Sequence, residues 1–226
     1  MILSLVLVGD EYIKEGKPYI NKFLRFGWTI EILTDQPEKF ETYVSMGVTT
    51  YYYNKKIFSY FDKLIFPIQI SEKYKSGVVY IDSLTLSLIP KNFIETFNGG
   101  DDFLYYNTWP KGETFKEYKN DVYFTILVDY FNRRNETEYD DIITILEWIY
   151  YIPYSDKNNQ LLYDLEEIQP IFEYSTVIYK PHYNGIGNGE GLGLSYCLMK
   201  NSIPIHKFKN LELSYHPPHS LARKLI

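Results

Sequence analysis

The sequence predicts an α/β protein in which a mostly parallel sheet is flanked by helices. Three observations carry that prediction. Short runs rich in apolar and β-branched residues recur at 2–8, 29–33, 48–53 and 77–81, long enough for strands and too short for helices. Segments with helical apolar spacing, or with a proline that opens a helix, lie between them. A polar loop follows each run. Alternating strand and helix in this way implies right-handed crossovers and a parallel sheet. The 226 residues make one domain the default and suffice to bury a sizeable core.

Taken in order, 2–8 is a nearly continuous apolar run, as in a central strand, and Gly9-Asp10-Glu11-Tyr12 forms the loop at its carboxyl end. Tyr19, Ile20, Phe23 and Leu24 follow a helical period that Gly27 stops. Strand 29–33 leaves through Thr34-Asp35-Gln36-Pro37, and Pro37 opens a short helix before strand 48–53. A helix begins near Phe58, turns at Ser76-Gly77, and leads into the buried strand Val78-Val79-Tyr80-Ile81, which delivers Asp82. Ile89-Pro90 starts a helical stretch to Phe97, and 103–107 reads as a strand. Trp109 follows, as a packing residue or a platform for a sugar ring. Helical spacing predicts helices over 117–135 and 140–151, the second from Ile142, Ile145, Leu146 and Ile149. A polar loop at 155–160 precedes a short helix at 161–168 stopped by Pro170, then a strand at 177–180. Glycines at 185, 187, 189, 191 and 193 lead into a helix at 192–201, a strand at 203–205 and His206.

Composition excludes several classes. With 45% hydrophobic residues the chain is globular. Its net charge of −6 weighs against a general nucleic-acid binder. A single cysteine, Cys197, rules out an internal disulfide framework. The apolar start lacks a basic leader and is too short for a signal peptide or membrane span, which points to a cytoplasmic protein with no membrane span. The 24 tyrosines and 14 phenylalanines read as amino-acid usage of an AT-rich genome, with a few available for stacking.

The first loop carries neither G-x-G-x-x-G nor a phosphate-loop lysine, so neither dinucleotide nor P-loop chemistry is supported. What remains is a set of polar residues at strand ends: Asp10 with Tyr12, then Asp35, then Asp82. Ligands of open α/β sheets bind at that edge. Asp82 reads equally as a turn former, a helix cap or a ligand of metal or polar groups. Lys63 is either a solvated helix charge or a point charge for a phosphate. Glu190 sits at a helix start, where the helix dipole favours a carboxylate whether or not it acts chemically.

The order FDKL (Phe61 to Leu64), a spacer, and VVYIDS (Val78 to Ser83) resembles nucleotide-sugar glycosyltransferases of the GT-A fold, across roughly residues 1–110. In those families the strand ends in an Asp-x-Asp motif that holds a divalent metal against the donor diphosphate. Asp82 and Ser83 match its first two positions, and Leu84 stands at the third. The resemblance implies a GT-A-like (Rossmann-like) domain with a small acceptor-side lobe. Residues 1–110 would bind the nucleotide sugar and 111–226 would form the acceptor side. It places Gly9, Asp10, Tyr12 and Asp35 at the nucleoside and Lys63 and Ser83 at the diphosphate. Glu190 would face the acceptor and the anomeric carbon. A histidine after the late strand completes the metal site in one retaining family, which makes His206 a partner for Asp82 around Mn²⁺ or Mg²⁺. The implied donor is a nucleotide-diphosphate sugar, UDP-linked, and the acceptor a glycan, a protein or a modified DNA base. The alternatives are a non-catalytic nucleotide-sugar-binding relative and a viral-type enzyme that glycosylates DNA. A nucleotidyltransferase ranks lower, because Gly9-Asp10-Glu11 is acidic where a basic loop is needed.

Overall fold

The computed structural model describes residues 1–106, 125–134, 145, 148–179, 189–209, 211 and 213. Strand β1 (Ile2–Val6) leads into helices α1 (Asp10–Gly16) and α2 (Ile20–Leu24), then β2 (Thr29–Thr34). A one-turn helix from Pro37 precedes α3 (Glu41–Val44) and β3 (Thr49–Tyr52). Then come α4 (Asp62–Tyr74), β4 (Val78–Ile81), α5 (Lys91–Thr96) and β5 (Phe103–Tyr105). The second half supplies α6 (Thr125–Arg133), β6 (Ile149–Ile152), α7 (Asn158–Tyr179), α8 (Glu190–Lys200) and β7 (Ile205–Lys207).

All seven strands form one sheet in the order β3-β2-β1-β4-β6-β5-β7. The pairs β1–β2, β2–β3, β1–β4 and β5–β7 are parallel, while β6 runs antiparallel to both β4 and β5. This is the mixed α/β domain, with a mostly parallel sheet flanked by helices, that the sequence predicts. Because β1 and β4 are covered on both faces, successive residues drop into two different cores. Val6, Val78 and Tyr80 face the core built with α4, α6, α7 and α8, whereas Leu3, Leu5, Val79 and Ile81 face the one built with α1, α2 and α5.

Three expectations for the second half are corrected. Residues 149–152, expected to end a helix, are the central strand β6. IYYI is a β-branched and aromatic run whose four residues are all buried, so two-sided burial in the sheet outweighs the helical spacing of the isoleucines. Pro170 does not stop a short helix, since α7 runs 22 residues through it. Residues 177–179 belong to that helix and not to a strand. The part of the 117–135 helix that falls within the described residues is α6, and Trp109 lies outside them.

Helix α4 carries a built-in defect. Pro67, in its interior, has no N–H to donate to the carbonyl four residues earlier, which is that of Lys63. The missing donor comes from the neighbouring sheet, where the Tyr150 hydroxyl of β6 bonds the Lys63 carbonyl. Tyr150 is itself fixed by stacking on Tyr80, its partner across the β4–β6 ladder, at 4.9 Å between ring centroids. Tyr150→Phe leaves a buried carbonyl without a donor. It is expected to cost about 1–3 kcal/mol in urea unfolding, and an unchanged midpoint would show that the rung needs no repair.

Candidate functional site

The strand order reverses between β1 and β4: β2 and β3 extend the sheet to one side of β1, and β4 starts the other. Loops leaving the carboxyl ends of such neighbours diverge and open a crevice, the usual ligand position in open α/β sheets. Four elements bring side chains there. Helix α1, following β1, brings Tyr12; Asp82 follows β4; the turn before α4 brings Tyr60 and the first turn of α4 brings Lys63; and Glu190, whose charge reaches Lys63, opens α8.

Lys63 and Asp82 are only 7% and 8% exposed, and they form an ion pair with Nζ 2.7 Å from Oδ2. The other carboxylate oxygen of Asp82 accepts the Leu84 backbone N–H at 3.2 Å. Asp82 is therefore both a turn former and the counter-ion of a buried ammonium. The Lys63 ammonium also lies 5.1 Å from the Tyr60 ring centroid and 5.7 Å from that of Tyr12, within cation–π range. Burial works against its charge, but Asp82 first and then Tyr80, Tyr12 and Glu190 outweigh burial and hold its pKa well above the ordinary lysine value. Burial pushes the Tyr80 phenol far up, a trend Lys63 opposes and Asp82 and Glu190 reinforce. The Tyr80 side chain is fully buried, and its hydroxyl has no hydrogen-bond partner among the described residues. Glu190, 6% exposed, follows Gly189, whose positive φ of 93° turns the chain into α8.

The remaining expected site residues are engaged in other ways. The Gly9 N–H donates to Asp35 Oδ1 at 2.8 Å, tying the β1 loop to the β2 loop. Ser83, buried behind Asp82, donates its hydroxyl to Glu15 of α1 at 3.0 Å. Asp10 points outward and pairs with Lys39, whose hydrogen bond and charge lower its pKa. Asp10, Asp35 and Asp82 thus follow three parallel strands at one edge of the sheet, and each has a different partner. His206 also stands apart from Asp82. It lies on β7 in register with Leu104, which faces Tyr151, which faces Val79. Three strand spacings, roughly 14 Å, separate those rows, and Asp82 is a further three residues along from Val79. The imidazole lies 3.9 Å from Asp102 instead.

Among the described residues the donor set around Asp82 does not fit a divalent metal. One carboxylate is present where the motif needs two, and that carboxylate already holds an ammonium. Among the described residues no group of three His, Cys, Asp or Glu could hold a metal ion.

Sequence reasoning missed Tyr60 and Tyr80. A signal for Tyr80 existed: two residues before Asp82 on a strand, it shares that residue's side of the sheet. Also missed was a cleft of about 410 Å³ lined by Tyr53, Lys55, Asp62, Gln69, Glu166 and Gln169. Its buried Asp62 accepts hydrogen bonds from the Tyr53 hydroxyl at 2.9 Å and from Lys55 at 2.6 Å. Among the described residues no helix is long and apolar enough to cross a membrane.

No protein-family model matches the sequence, and no curated protein does. Among solved structures, the chain is similar to the glycosyltransferase GlyE of Streptococcus pneumoniae TIGR4, with a TM-score of 0.46 and 11% sequence identity. The match covers 92% of this chain and 45% of that one, so the chain spans less than half the length of that structure.

Proposed function

We propose that the protein is a glycosyltransferase that moves a sugar from a nucleotide-diphosphate sugar to a hydroxyl acceptor. The observation that carries this reading is the buried Lys63–Asp82 ion pair at the β1–β4 crevice, with Tyr12 and Glu190 beside it. A buried ammonium flanked by aromatic faces suits an anionic ligand with a planar end, such as a nucleoside diphosphate. Tyr12 would pack against the nucleoside, with the Gly9–Asp35 link shaping the loops around it. Lys63 would meet the diphosphate, held in place by Asp82. Glu190 would act at the sugar, either accepting the acceptor proton or supporting positive charge at the anomeric carbon. A UDP-linked donor and a glycan or protein acceptor are the partners this reading favours; the net charge of −6 sits less well with DNA.

The missing second acid at Leu84 supports one further reading, a relative that binds nucleotide sugars without turning them over. A panel of nucleotide sugars, scored for thermal shift and for release of nucleoside diphosphate, separates the two. The transferase reading expects both signals with one donor. A shift without release supports the binding reading, and no response to any donor defeats both. Asp82→Asn keeps the turn to Leu84 but removes the charge that orients Lys63. It is expected to lower turnover on the order of 100-fold while the protein still melts cooperatively. Full activity would reduce Asp82 to a turn residue.

A further inference from the structure

We propose that the Lys63 ammonium takes the place of a divalent metal in this site, so that the nucleoside diphosphate is bound and released without metal. The inference rests on the nucleotide-sugar reading and adds to it the identity of the cation.

Three observations converge on Lys63. First, its Nζ lies 2.7 Å from Asp82 Oδ2, the position from which a carboxylate at the end of β4 would coordinate a metal, and the other oxygen is turned to the Leu84 amide. Second, among the described residues no other group completes a metal site: position 84 is leucine, His206 lies three strands away, and no three His, Cys, Asp or Glu could hold a metal together. Third, the ammonium is built in and not a loose surface charge. It is 7% exposed, flanked by the Tyr12 and Tyr60 rings, and carried on a helix rung that Tyr150 locks from the sheet. Asp82 uses one of its three N–H donors, and lysine is a common phosphate ligand acting as a point charge.

In the transfer step the bond between the anomeric carbon and the β-phosphate oxygen breaks, and its electron pair stays on that oxygen beside Lys63. Where Glu190 serves as the proton acceptor, the acceptor oxygen forms the new bond to the anomeric carbon and gives its proton to the Glu190 carboxylate. The single charge of Lys63 offsets the negative charge gathering on the leaving diphosphate, the part a metal plays where a second acid is present.

The test begins with the unaltered protein. Calorimetric titration with UDP, and with GDP and ADP as separate arms, is run in excess EDTA and again with Mn²⁺, and Mn²⁺ binding to the nucleotide-free protein is followed by electron paramagnetic resonance. At least one nucleotide is expected to bind with affinities that agree within about threefold in the two buffers, with no Mn²⁺ bound in its absence. Lys63→Arg should keep that affinity, and Lys63→Met should weaken it by about tenfold or more. Binding only when Mn²⁺ is present, or stoichiometric Mn²⁺ on the nucleotide-free protein, overturns the inference and leaves the nucleotide-sugar reading standing. Failure of all three nucleotides in both buffers overturns that reading and the inference with it. Should Lys63→Met not fold, the two-buffer comparison and Lys63→Arg still decide.

Discussion

Lys63→Met is expected to destabilise the protein by roughly 3–5 kcal/mol, the usual cost of stranding one charge of a buried pair. Both partners are nearly closed to solvent, so little screening softens the loss. Replacing both, as in Lys63→Met with Asp82→Leu, removes the stranded charge and should recover most of the stability, as buried pairs exchanged for apolar residues often do. Urea unfolding of the two variants against the parent measures this. A single variant as stable as the parent would mean that water reaches Asp82 freely. The pH dependence has a definite sign. Burial disfavours the Lys63 charge, but Asp82, Tyr80, Tyr12 and Glu190 raise its folded pKa above the ordinary value. Its contribution is then complete below the unfolded lysine pKa of about 10.4 and is lost as pH rises from there through the folded value. Between pH 6 and 9 the parent's stability should carry no slope from this group.

Glu190→Gln is expected to lower turnover about 100-fold or more, the scale of losing a general base, with donor affinity nearly unchanged. The residue is buried at the first position of α8, just after Gly189, whose left-handed conformation suits a residue without a side chain. Glutamine keeps the shape and removes the charge. If the carboxylate only complements the helix dipole, the variant should lose roughly 0.5 kcal/mol of stability and keep its turnover. Donor affinity, melting temperature and turnover measured on one preparation separate the two roles.

The parallel half of the sheet was legible because its strands are buried on both faces. Such strands print themselves as apolar runs, and polar strand-end loops mark one edge. The antiparallel strand was not. Ile142, Ile145 and Ile149 happen to fall at helical spacing, and nothing local shows that 149–152 will be sandwiched between β4 and β5. Pro170 misled for a related reason, since α7 is long enough and packed enough to absorb a missing rung. In the site, strand ends located Asp10, Asp35 and Asp82 on one edge, but not the direction each side chain takes. Lys39 draws Asp10 outward and the Gly9 amide takes Asp35. The pairing of Lys63 with Asp82 spans 19 residues and depends on how α4 lies on the sheet, which spacing alone does not encode.

The repaired rung in α4 bears on the order in which the chain can assemble. Synthesis delivers β1 to β4 and α4 long before β6, and domains tend to fold as their segments emerge. Until β6 arrives, the outer edge of β4 is an open template for other strands, and the Lys63 carbonyl has no Tyr150 to meet. That contact closes a separation of 87 residues, a slow, non-local step. The early segment can therefore draw its strands together, but the helix rung that carries Lys63 is not set until the late strand inserts. The Lys63–Asp82 corner of the candidate site is thus completed late, and a nascent chain halted before β6 would carry Tyr12, Lys63 and Asp82 without the strand that sets them or the Glu190 that follows.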